Sequence, residues 1–126
     1  MRTVFILSFV SALVGCSSLD GVYVGDCTVK QSGEDTEYSV EVEITQSSSG
    51  GIDGDGEVVN SLDQLSEGDI DGERDDDDIR FTIEFNDGLL DGGAMLFQGV
   101  ISGDEIDGRC ELDSYKEGSF DLTRKD

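Results

Sequence analysis

Ile79-Arg80-Phe81-Thr82-Ile83-Glu84-Phe85 alternates apolar and polar residues without a break. A period of two puts Ile79, Phe81, Ile83 and Phe85 on one face of a strand and Arg80, Thr82 and Glu84 on the other. That is the pattern of an antiparallel strand with one face buried. Tyr38-Ser39-Val40-Glu41-Val42-Glu43-Ile44 repeats it, with Tyr38, Val40, Val42 and Ile44 on the inner face. Around these two strands the chain has no proline, no tryptophan and no long helical period, while glycine is plentiful, with 17 residues.

A repeated phrase, an aliphatic residue followed by Asp-Gly, links the weaker segments. It occurs as Leu19-Asp20-Gly21, Ile52-Asp53-Gly54, Ile70-Asp71-Gly72, Leu90-Asp91-Gly92 and Ile106-Asp107-Gly108. Asp-Gly suits a tight hairpin turn, because both residues tolerate positive φ. Within a strand, the same glycine marks a bend or bulge in a curved sheet. The residues leave open which of the five are turns. Their spacing, mostly 16 to 20 residues, fits two strands per interval. Eight short strands are predicted near 20–30, 37–46, 54–60, 66–72, 78–86, 93–101, 104–112 and 118–124, with a flexible loop at Ser47-Ser48-Ser49-Gly50-Gly51. A meander of this size must close or stack to hide its edges. The expected fold is all-β, a small antiparallel up-and-down barrel of about eight strands, with a two-sheet sandwich as the alternative.

The chain divides into residues 1–15, 16–18 and an acidic domain over 19–126. Met1-Arg2-Thr3 carries one positive charge, and Val4 to Val14 is apolar apart from Ser8 and Ser11. This run of 11 residues falls short of the ~20 that a spanning helix needs, and it reads as a signal-peptide helix. Leu13-Val14-Gly15-Cys16 resembles the lipobox of bacterial lipoproteins at all four positions. The resemblance implies cleavage before Cys16 and diacylglycerol on its sulfur, often with acylation of the new amine. Two or more chains anchor a protein stably where one does not. The address implied is a bacterial envelope membrane, and Ser17 in place of Asp favours the outer membrane of a Gram-negative cell. Ser17 and Ser18 are then the whole tether.

Phe97-Gln-Gly99-Val-Ile-Ser-Gly103-Asp-Glu-Ile106-Asp-Gly108, followed by Gly118-Ser-Phe120-Asp-Leu122-Thr-Arg124, resembles the ending of lipocalin-like and streptavidin-like barrels. Leu19-Asp-Gly21-Val-Tyr23-Val-Gly25 is similar to their opening, with Tyr23 where many such barrels carry Trp.

With the lipid on Cys16, Cys27 and Cys110 remain to pair, as export permits. Such a bond closes a loop of about 83 residues and stabilises by about 4 kcal/mol on the chain-entropy model. It sits awkwardly in an up-and-down barrel, where the first strand neighbours the second and the eighth but not the seventh. Either it crosses near one end, or the strand count is off by one, or the fold is the sandwich.

Eight Lys and Arg stand against 30 Asp and Glu, a formal charge of −22. Only Arg2 falls within 1–15, so the remainder carries 7 against 30, or −23. This excludes nucleic acid as a natural partner and disfavours anionic headgroups without a covalent lipid. It suits a basic protein partner, divalent cations or high salt. There is no histidine, which removes Ser-His-Asp and Cys-His catalysis. Lipidation and pairing would leave no thiol nucleophile or zinc site. Carboxylate spacings are too abundant to mark a glycosidase cleft. The expectation is a protein that is not an enzyme.

Two further candidates come from the residues. Asp69, Asp71, Glu73, Asp75, Asp76, Asp77 and Asp78 form a dense acidic run, read as a solvated hairpin or as a weak Ca2+ site. Asp53-Gly54-Asp55-Gly56-Glu57 opens like an EF-hand loop, but Val58 and Gln64 stand where its glycine and bidentate glutamate belong. Tyr38, Phe81, Phe85, Phe97 and Phe120 either fill the barrel or line a pocket for a small apolar ligand. The function expected is a membrane-anchored, non-catalytic binding lipoprotein meeting a basic protein. A calycin-type carrier and a structural envelope protein are the alternatives.

Overall fold

The computed structural model describes residues 19–31, 33–113 and 116–125; the expected signal peptide and Cys16 lie outside them. Eight strands follow in order: β1 Gly21–Gln31, β2 Glu34–Gln46, β3 Gly51–Val59, β4 Leu65–Asp75, β5 Asp78–Gly88, β6 Ala94–Ser102, β7 Glu105–Leu112 and β8 Lys116–Arg124. Each pairs antiparallel with the next, and β8 closes on β1 from Tyr23↔Arg124 to Val29↔Gly118. The fold is a closed up-and-down barrel rather than two stacked sheets, so none of these eight described strands has an unpaired edge along the wall.

The alternation read from the sequence sets which side chains enter. Ile79, Phe81, Ile83 and Phe85 of β5 are buried, as are Tyr38, Val40, Val42 and Ile44 of β2. They belong to one contiguous core with inward residues of the other strands.

The five Asp-Gly phrases do three different jobs. Leu90-Asp91-Gly92 is a turn between β5 and β6, and Leu19-Asp20-Gly21 leads into β1. The remaining three lie inside β3, β4 and β7, where the aliphatic residue is buried and the aspartate is exposed. In these the glycine marks a corner. A Cβ on Gly54 would stand 1.8 Å from the Glu43 carbonyl oxygen, and one on Gly108 would stand 2.1 Å from that of Gln98. The wall folds so tightly there that only hydrogen fits on the inner side.

The same tightness explains the disulfide. Cys27 and Cys110 are bonded, although β8 lies between their strands, with Cys27 opposite Phe120 and Cys110 opposite Gly118. In a flat sheet, strands two apart are separated by roughly 9.5 Å. Here the two Cα atoms are 6.3 Å apart. Gly118 makes the approach feasible, since a Cβ there would stand 1.8 Å from the Thr28 carbonyl oxygen. The bond crosses the inner side of β8 where that strand has no side chain, which removes the conflict between the pairing and a simple barrel.

One end of the barrel is plugged by a polar latch over Leu19, which is 2% exposed. The Leu19 N–H donates to Gln46 Oε1 at 3.2 Å, and the Gln46 N–H donates to Asp20 Oδ1 at 2.7 Å. Arg124 Nη1 donates to the Asp20 carbonyl at 2.7 Å, and Arg74 Nη1 to Gln46 Oε1 at 3.1 Å. The Arg124 guanidinium lies 5.1 Å from the centre of the Tyr23 ring, a cation–π contact that closes the floor. Burial pushes the Tyr23 pKa above its ordinary value, with the nearby Arg124 charge opposing part of that shift. A raised folded-state pKa means that the unfolded chain loses this proton first. The associated stability is therefore complete below about pH 10 and falls as pH rises through the folded value. Tyr23→Phe is expected to flatten the alkaline limb of a stability–pH curve measured by urea titration. An unchanged limb would show that Tyr23 holds no such proton.

Candidate functional site

Because side chains alternate across the wall, strand register decides which outward residues meet. On β2 to β5 it assembles carboxylates into rows. Glu41, Glu57, Glu67 and Asp87 face one another across four consecutive strands. The next row towards the latch is Glu43, Asp55, Asp69 and Glu84. Asp53 and Asp71 then pair directly below. Neighbours within a row stand ~5 Å apart, and successive rows are separated by two residues, or ~6.7 Å, on β2 to β4 and by three on β5, where a bulge shifts the register. No lysine or arginine belongs to these rows; Lys125 Nζ reaches Glu41 at one edge, at 3.8 Å. Like charges directly opposite each other destabilise a sheet, so this face is costly to the free protein.

The acidic run falls into two parts. Asp69, Asp71 and Glu73 occupy successive outward positions of β4, and Asp75 and Asp78 face each other at the end of the β4–β5 hairpin. Asp76 and Asp77 form its turn, with Asp76 at a φ of 56°. This turn is organised through its backbone: Arg74 Nε donates to the Asp76 carbonyl and the Ile101 N–H to that of Asp77, each at 2.7 Å. Among the described residues, no three Asp, Glu or Cys side chains are grouped so as to hold a metal ion. Asp53, Asp55 and Glu57 lie on an extended strand, with every one of these carboxylates on the outer face.

Tyr38, Phe81, Phe85, Phe97 and Phe120 all point inward and are buried. Phe81 and Phe97 stack at 4.8 Å, and Phe120 meets Phe97 edge-on at 5.0 Å. These three rings therefore find apolar neighbours in one another.

Two outer-wall features escaped the sequence reading. A shallow groove of about 750 Å³ crosses β4 to β7, lined by two neighbouring cross-strand rows, Arg80, Gln98 and Arg109 in one and Asp78, Val100 and Asp107 in the other. Arg109 is bound by Glu117 at 2.6 Å. The second feature is apolar. Leu62, Leu65 and Leu89 are exposed at the barrel end opposite the latch, on the β3–β4 and β5–β6 hairpins. A cue was present, since isolated leucines in polar hairpins have no core to join, but only register puts the two hairpins side by side.

No protein-family model matches the chain, and no curated protein sequence matches it either. A solved structure does: a de novo designed fluorescence-activating β-barrel, with a TM-score of 0.60 and 22% identity. The match covers 84% of this chain and 93% of the designed one. At that identity the likeness speaks for the fold alone.

Proposed function

We propose that this chain is a bacterial envelope lipoprotein, anchored through lipid on Cys16, whose barrel binds a basic protein without catalysis. The lipobox Leu13-Val14-Gly15-Cys16 supports the address. The observation that carries the binding reading is the pair of four-carboxylate rows across β2 to β5. A cationic surface laid over them relieves the repulsion built into the free wall and speeds encounter by electrostatic steering. The aromatic packing of the interior favours an outer-surface site over carriage of an apolar molecule.

The expected result has two arms. Cys16→Ser should move the protein from the membrane to the soluble fraction and abolish palmitate labelling; retention in the membrane would sink the anchor. The soluble variant should bind lysozyme, used as a basic probe, with an affinity that falls steeply between about 0.05 and 0.2 M salt. Salt-independent binding, or none at low salt, would remove the partner reading. Native mass spectrometry that found a co-purified apolar molecule would favour the carrier instead.

A further inference from the structure

The two carboxylate rows end, on the side away from the latch, in an apolar row. Val59 pairs with Leu65 on β3 and β4, and Leu89 follows Gly88, the partner of Ser66. Leu62 crowns the β3–β4 turn at 76% exposure, Leu89 is 60% exposed and Leu65 43%. The two hairpins are tied together, since the Leu90 N–H donates to Ser66 Oγ at 2.9 Å. Leu90 itself packs on the core, so it anchors the loop that displays Leu89. Asn60 Oδ1 accepts from the Leu62 and Gln64 N–H groups, each at 2.9 Å, which fixes the turn that displays Leu62. These leucines are thus held out on ordered turns. Residues 60–68 and 84–94 contain no lysine or arginine, while Asp63, Glu67, Asp87 and Asp91 each lie within two positions of one of the leucines.

We propose that this tip is the docking end of the acidic face, and that it takes a cationic protein surface centred on an apolar side chain. The inference rests on the basic-partner reading and says where on the barrel contact is made. Charge selects the occupant. A second copy would bring the same acidic surround against its own, and an anionic bilayer would be repelled, whereas a basic partner with an apolar centre is complementary in both respects. The apolar end then supplies the desolvated centre of the interface, and the rows below supply orientation.

The test uses the full chain carrying Cys16→Ser and two synthetic peptides of equal charge, a lysine homopeptide and an alternating lysine–leucine peptide. Calorimetry at low salt should show both binding, the leucine-containing peptide at least tenfold more tightly. Leu62→Ser/Leu89→Ser should erase that difference and leave homopeptide affinity unchanged. Both positions are exposed, and an unaltered thermal midpoint would confirm that the variant folds. If the double variant kept the tenfold preference, the tip would be overturned while the basic-partner reading stood. Binding of neither peptide would overturn both. Concentration-dependent dimerisation abolished by the double variant would assign the tip to a second copy and also overturn the proposal.

Discussion

Gly118→Ala is expected to destabilise the barrel by about 3 kcal/mol or more, the upper range for overpacking. The added methyl would stand 1.8 Å from the Thr28 carbonyl oxygen and 2.6 Å from Val29 Cα, both backbone atoms. No rotamer change relieves a clash with backbone, so β1 and β8 must part. The bond from Cys27 to Cys110 ties β1 to β7 across this point, so β8 is held between them and has little room to move. Against a typical net stability of roughly 5–15 kcal/mol, such a loss removes a large share. Urea titration monitored by circular dichroism would measure it. Gly103→Asn is the control: nothing lies within 4 Å of a Cβ there, and a φ of 63° is one that asparagine tolerates. A change below about 1 kcal/mol is expected for the control. An equally small change for Gly118→Ala would mean that the wall opens at this corner without cost.

Loss of the disulfide should be as severe. Cys27 and Cys110 are separated by 83 positions, so breaking their bond frees a long loop in the unfolded chain, worth about 4 kcal/mol. For a domain of this size, each kcal/mol moves the thermal midpoint by roughly 4 °C or more, giving an expected drop of at least ~15 °C for protein reduced in denaturant and refolded. Because both cysteines are fully buried, dithiothreitol should leave the bond intact under native conditions and cut it once the chain unfolds. Rapid native reduction, or a midpoint lowered by only a few degrees, would contradict this account.

The strands are readable because a period of two is a local signal. Ile79 to Phe85 declares its inner face without reference to anything else. Features that depend on register are not readable in the same way. Ile70-Asp71-Gly72 and Leu90-Asp91-Gly92 are the same phrase, yet one is a corner within β4 and the other a turn. The difference is whether the neighbouring strand passes close to the glycine, as Arg80 and Phe81 do at Gly72. The disulfide looks incompatible with the barrel only because counting strands assumes a flat wall. Composition reveals the abundance of acid, but the rows formed by Glu41, Glu57, Glu67 and Asp87 exist only through pairings 10 to 20 residues apart in sequence. Leu62 and Leu89 give only a local cue, as leucines in polar hairpins, and it is register that brings their two hairpins side by side.

The latch at Leu19 has a mechanical consequence. A barrel held by its N-terminus at the plugged end and gripped at the opposite end would be pulled along its strands. Force entering at Leu19 first meets the Asp20, Gln46 and Arg124 hydrogen bonds. Beyond them is β1, laddered on both sides by β2 and β8. Ladder hydrogen bonds run perpendicular to such a load, so many must shear together instead of peeling one at a time. The Cys27–Cys110 bond passes any remaining tension directly to β7. The route from Leu19 along β1 is therefore one that resists unravelling.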